Sequence, residues 1–227
     1  MKLMILSLGI AIFVFLQTAH AHENHEMSDM SSMDMLSSNA HMEMTELRKP
    51  STEDRVRAAR VVEMLKQSLK KYEDYRVALD DGYKIFLPNV PLREYHFTNY
   101  RYGIKAAFTF DPAHPTSLLY RKTFSGYELI GAMFTAPKTA TEDELNARVP
   151  LSVAQWHKHV NLCLPPDVED MRRADWRKFG PKGSIVTEEE CSENGGRWIP
   201  QRFGWMVHVY PFEKDPQKIW APPMGQR

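Results

Sequence analysis

Trp156-His157-Lys158-His159-Val160-Asn161-Leu162-Cys163 decides how the rest of the chain is read. In an extended backbone successive side chains alternate between faces. His157, His159, Asn161 and Cys163 therefore share one side, and Trp156, Lys158, Val160 and Leu162 the other. One face can pack while its back presents two imidazoles and a thiol. Gly204-Trp205-Met206-Val207-His208-Val209-Tyr210 reads as a second strand, with Met206 and His208 on one face. If the two strands meet, His157, His159 and His208 can bind a single metal ion.

Moving outward, Tyr95 to Tyr100 predicts another strand, on which His96 is a candidate fourth ligand; its alternative is a hydrogen-bonded core histidine. Leu118–Thr123 and Tyr127–Thr135 predict a hairpin around Ser125-Gly126. His114 falls in a turn-rich loop and Glu128 is an outlying carboxylate, both read as exposed. Val56, Ala59, Val62, Leu65, Leu69, Tyr72 and Tyr75 keep a three-and-four spacing, which predicts a long amphipathic helix from Ser51 to about Leu79. Thr141-x-x-Glu144 and Thr187-x-x-Glu190 are capping patterns for short helices, the second containing Cys191. A further helix is predicted over Asp167–Phe179, and the proline-rich tail from Asp215 is read as irregular. The fold class is α+β: an antiparallel sheet or small open β-barrel with a long N-terminal helix and short helices, over one domain at 51–227.

Lys2, the apolar run Leu3–Leu16 and the small-x-small Ala19-His20-Ala21 predict a signal peptide over 1–21, too short for a membrane span. The expected location is periplasmic or secreted, with no membrane span after cleavage. Lys and Arg number 29 and Asp and Glu 29; Lys2 is the one charged residue before the cut, so 28 basic residues then face 29 acidic ones. That balance gives no reason to expect nucleic acid as a partner, and the sequence names no protein partner. Export also places Cys163 and Cys191, the two cysteines of the chain, where disulfides persist. A bond between them is expected, and it would remove Cys163 as a ligand.

Residues 22–50 predict a disordered leader. His22, His25 and His41, with Met27, Met30, Met33, Met35, Met42 and Met44, are set there among Ser, Asp and Glu, too little apolar surface to offset ordering. Thioethers suit Cu(I), while imidazole and carboxylate suit Cu(II), so these residues are candidates for metal capture; the alternative is a linker that tolerates methionine. In composition the leader resembles the Met/His-rich tails of bacterial periplasmic copper-handling proteins.

The HxH pair with a distant histidine resembles the metal motif of cupins, where an acidic residue joins three histidines inside a small β-barrel. Here the glutamate expected after the pair is missing, with Asn161 and Cys163 in its place. HFTN, FDPAHPTSLLY, GYELIGAMFTAP, WHKHVNLC and GWMVHVYPF together resemble an uncharacterised group of secreted bacterial proteins over roughly residues 53 to 213. That resemblance implies one exported domain and no particular substrate. No nucleophile elbow, phosphate loop or HExxH helix is present. Three functions follow: a metal-binding protein handling a transition metal, copper favoured over zinc or iron; a cupin-like metalloenzyme; or a disulfide-stapled binding module without metal.

Overall fold

The computed structural model describes residues 40–90, 92–166 and 173–220. Among these the chain runs β1 (Met42–Met44), α1 (Thr52–Leu69), a 3-10 turn (Lys70–Glu73), α2 (Tyr75–Asp80), β2 (Lys84–Ile85), β3 (Tyr95–Thr98) and α3 (Tyr100–Ala106). It continues through β4 (Ser117–Thr123), β5 (Gly126–Ala136), α4 (Glu142–Arg148), β6 (His157–Leu164), α5 (Glu188–Glu193), β7 (Arg197–Val209) and α6 (Pro216–Ile219). The strands form one open antiparallel sheet in the order β1-β6-β7-β5-β4-β3-β2. This is the α+β class predicted.

Local chemistry sets most element ends. The Ser51 hydroxyl accepts from Asp54 N and opens α1, whose Ala58, Val61, Val62, Leu65 and Leu69 are buried. The helix expected to run on to Leu79 is interrupted at Asp74. That residue is extended, and its carboxylate accepts from Arg76 N to cap α2. Val56, placed on the apolar face by spacing, is 46% exposed. Gly82, at φ 88, ends α2 with Tyr83 N donating to Ala78 O and Gly82 N to Leu79 O, a Schellman arrangement. The Thr141–Glu144 capping box forms with both reciprocal bonds.

Alternation along the strands gives the sheet two apolar faces. Tyr95 and Phe97 of β3, Leu118 and Tyr120 of β4, Phe134 of β5, and Trp205, Val207 and Val209 of β7 face α1 and make the main core. The intervening residues face the other way, where Leu119, Met133, Met206 and Tyr210 form a second buried cluster. On a flat sheet β3 and β7 would stand three strand spacings apart, about 14 Å. The rings of His96 on β3 and His208 on β7 are nevertheless centred 5.3 Å apart, and Phe86, just after β2, meets Phe203 of β7 at 5.9 Å. The sheet is therefore rolled about its second face. A register shift at Leu119/Tyr120 contributes to the bend. Gly131 lets β7 approach, since a Cβ there would overlap Val209 O.

Three expectations change. Met42–Met44, assigned to the disordered leader, form β1: Val160 N donates to His41 O, and Thr45 N to Trp156 O. The outer edge of β6 offers an unpaired row of backbone groups that composition cannot reveal. The described end of the predicted 167–179 helix, residues 173–179, is turns, and the rest of that segment lies outside the described residues. Residues 216–219 of the tail expected to be irregular form α6. Cys163 and Cys191 are joined, Cα atoms 5.5 Å apart, packed with Ile185.

Candidate metal centre

His208 lies between Val207 and Val209, whose burial in the main core turns the imidazole to the second face. His96 is turned the same way by Tyr95 and Phe97. Glu94 stands two residues before His96, in phase with it, and is buried. Tyr210, two residues after His208, donates its hydroxyl to Glu94 Oε2 at 2.8 Å, a buried bond across 116 residues of sequence.

With Oε2 so held, Glu94 Oε1 lies 3.6 Å from His96 Nε2 and 3.5 Å from His208 Nδ1. The three residues' ligand atoms all fall within 4.8 Å of one another. Contacts of 3.5–3.6 Å are too long for hydrogen bonds. They do match the spacing of donors around a tetrahedral ion, about 3.3–3.6 Å for metal–ligand bonds of about 2.0–2.2 Å. Glu94, His96 and His208 are thus a buried group able to hold a metal ion.

Electrostatics favour the ligand form. Burial pushes His96 down to about 4, although a quarter of its side chain still meets solvent, and the His159 charge adds to the effect. Burial, then the charges of His159 and His96, pushes His157 down to about 3. Burial holds His208 well below the usual histidine range, with the charges of His157, His96 and His159 acting the same way, and burial also lowers His159. All four imidazoles are neutral at pH 7, as metal ligands must be. His96 Nε2, His159 Nδ1 and His208 Nδ1 are buried without a hydrogen-bond partner. Each such atom costs about 1–3 kcal/mol if nothing meets it. Two of them, His96 Nε2 and His208 Nδ1, belong to the converging group and fit a centre built for a cation.

Of the expected trio, the structure brings His208 and His157 together, their rings centred 5.2 Å apart, with His159 a further 5.8 Å from His157. Among the described residues, however, the group whose ligand atoms converge is Glu94, His96 and His208. His157 and His159 border that group. His96, read as an optional fourth ligand, is within it. Glu94 is not among the sequence candidates, although Glu94-x-His96 repeats the spacing of His157-x-His159.

The remaining candidates separate cleanly. Cys163 is in the disulfide and is no ligand. The face expected to carry His157, His159, Asn161 and Cys163 together is broken at Asn161, whose φ is 54 and whose side-chain amide donates to Ala40 O. His41 is buried, with Nδ1 and Nε2 each 2.7 Å from a carbonyl oxygen, of Asn161 and Gly183 respectively. It anchors β1 rather than facing solvent. His114 pairs with Asp111, and Glu128 with Arg121. His22, His25, Met27, Met30, Met33 and Met35 lie outside the described residues.

No described helix is long and apolar enough to cross a membrane. Comparison of the chain with protein-family profiles, with curated proteins and with solved structures finds no match in any of the three.

Proposed function

We propose that this chain is an exported metal-binding protein that holds one divalent transition-metal ion at Glu94, His96 and His208, bordered by His157 and His159, which are not among its ligands. The carrying observation is the placement of Glu94 Oε1, 3.6 and 3.5 Å from the two imidazole nitrogens, at tetrahedral donor spacing. Export is supported by the signal-like residues 1–21 and by the Cys163–Cys191 bond, since such bonds persist in oxidising compartments. Copper is the favoured ion because imidazole and carboxylate suit Cu(II) and the leader is rich in methionine and histidine; zinc and iron suit the same donors.

A second reading has its own observation. Two histidines and one carboxylate leave coordination positions open, the donor set of many non-haem iron oxygenases and of hydrolytic zinc centres. In that reading the chain is a cupin-like metalloenzyme whose carboxylate, Glu94, comes from the residue just before β3.

Metal analysis of protein exported to an oxidising compartment, followed by reconstitution with copper, zinc and ferrous iron in turn, tests both. With zinc, one ion per chain is expected, lost in Glu94→Gln and His208→Ala and retained when residues 22–39 are deleted. Failure to bind any of the three metals stoichiometrically overturns the proposal. Oxygen consumption or hydrolysis by the iron- or zinc-loaded chain that is lost in Glu94→Gln moves the assignment to the enzyme.

A further inference from the structure

A second donor cluster adjoins this centre, made of different atoms. In the β1–β6 pairing Met42 lies opposite His159 and Met44 opposite His157, and in the β6–β7 pairing His157 lies opposite Met206. Directly opposed residues of antiparallel strands project from the same face, Cβ atoms about 4.5–5.5 Å apart. Met44, His157 and Met206 therefore form one row across three strands, with Met42 and His159 beside it.

The face to which this row points is established independently. Glu43 and Lys158, the opposed pair between the two Met/His pairs, are joined at 2.9 Å, and Lys158 Nζ lies 4.5 Å over the Trp205 ring. Trp205 belongs to the main core, so that pair marks the α1 side of the sheet. Met42, Met44, His157, His159 and Met206 alternate with these residues onto the other side, where the His157 ring meets that of His208. Met42 and Met206 are buried and Met44 is half-buried.

The donors here are thioethers and neutral imidazoles, with no carboxylate among them, the set that selects a soft monovalent cation. We propose that Met44, His157 and Met206, with His159 and Met42 alongside, form a second metal site specific for Cu(I), beside the harder Glu94-His96-His208 centre. The site goes beyond the divalent reading and does not depend on it, since it shares no ligand with that centre. Its thioethers come from a strand edge and a core strand, and they hold the softer oxidation state of copper next to a centre whose carboxylate suits the harder one.

Ag(I), a redox-inert stand-in for Cu(I), is titrated into the full chain with its leader, the methionine methyls labelled with carbon-13 and assigned by substitution. The Met44 and Met206 methyl signals are expected to move together with one midpoint. Met206→Leu, which conserves volume, is expected to raise the midpoint read at Met44 at least tenfold. If Met206→Leu does not give a native spectrum, His157→Gln read at Met206 takes its place, with the same tenfold shift expected. Leader methyls that respond while Met44 and Met206 stay still overturn the site. So does a Met44 midpoint unchanged by loss of Met206, or a Met206 midpoint unchanged by His157→Gln. A parallel zinc titration of Glu94→Gln is expected to lose zinc and keep the Ag(I) response, and loss of both overturns the separation of the two sites.

Discussion

Tyr210→Phe removes a single oxygen from the candidate centre and keeps the ring that packs with Leu119, Met133 and Met206. The native hydroxyl donates to Glu94 Oε2 at 2.8 Å and so leaves Oε1 facing His96 and His208. A hydrogen bond to a charged group contributes about 1.5–3 kcal/mol, which at about 1.4 kcal/mol per tenfold corresponds to a change of about 10- to 150-fold. Partners that orient metal ligands contribute about 10- to 100-fold to affinity, in the same range. Zinc affinity, measured by competition with a chelator of known strength, is therefore expected to fall at least tenfold, with stoichiometry unchanged. Near-UV circular dichroism and urea unfolding of the metal-free protein check that the core is intact. A variant less stable than the native chain but equal in zinc affinity would refute the reasoning, because Tyr210 would then pack against Glu94 without orienting it.

Two other outcomes follow from the buried histidines and a third from the disulfide. Because burial sets His96 to about 4 and His157 to about 3, with His208 also depressed, protons should not compete for the folded metal-free site until well below the ordinary histidine range. Zinc affinity should lack the decline of ordinary histidine ligands, and a tenfold loss per pH unit beginning near 6.5 would contradict the burial. The same shifts predict that the metal-free fold loses stability as pH falls from about 6.5 towards 3, since the unfolded chain takes up protons that the folded one refuses; urea midpoints across that range measure it. Replacing Cys163 and Cys191 together by alanine opens a loop spanning 28 residues and should cost about 3–4 kcal/mol in urea unfolding, and an unchanged midpoint would show that the packing around Ile185 holds α5 unaided.

Several features were legible because neighbouring residues settle them. The Ser51 cap, the Thr141–Glu144 box, the β4–β5 hairpin and the alternation around His208 need only a few consecutive side chains. Asp74 defeated the long-helix expectation by the same local chemistry: its carboxylate caps the next helix, an option that apolar spacing does not register. Met42–Met44 looked disordered because the segment has little apolar surface of its own. It is ordered by a strand edge more than a hundred residues away, as the pairing of Met42 with His159 shows.

What the sequence by itself determined is which way each imidazole faces along its own strand, since the two-residue repeat of an extended backbone is a local property. Which imidazoles meet was a tertiary outcome. Placing β3 beside β4 and β4 beside β5, and rolling those strands until β3 faces β7, brings Glu94 and His96 to His208, while β6 carries His157 and His159 to the border of the group. Convergence depends on strand order and sheet curvature, and these come from core burial on the opposite face, in which none of the ligands takes part.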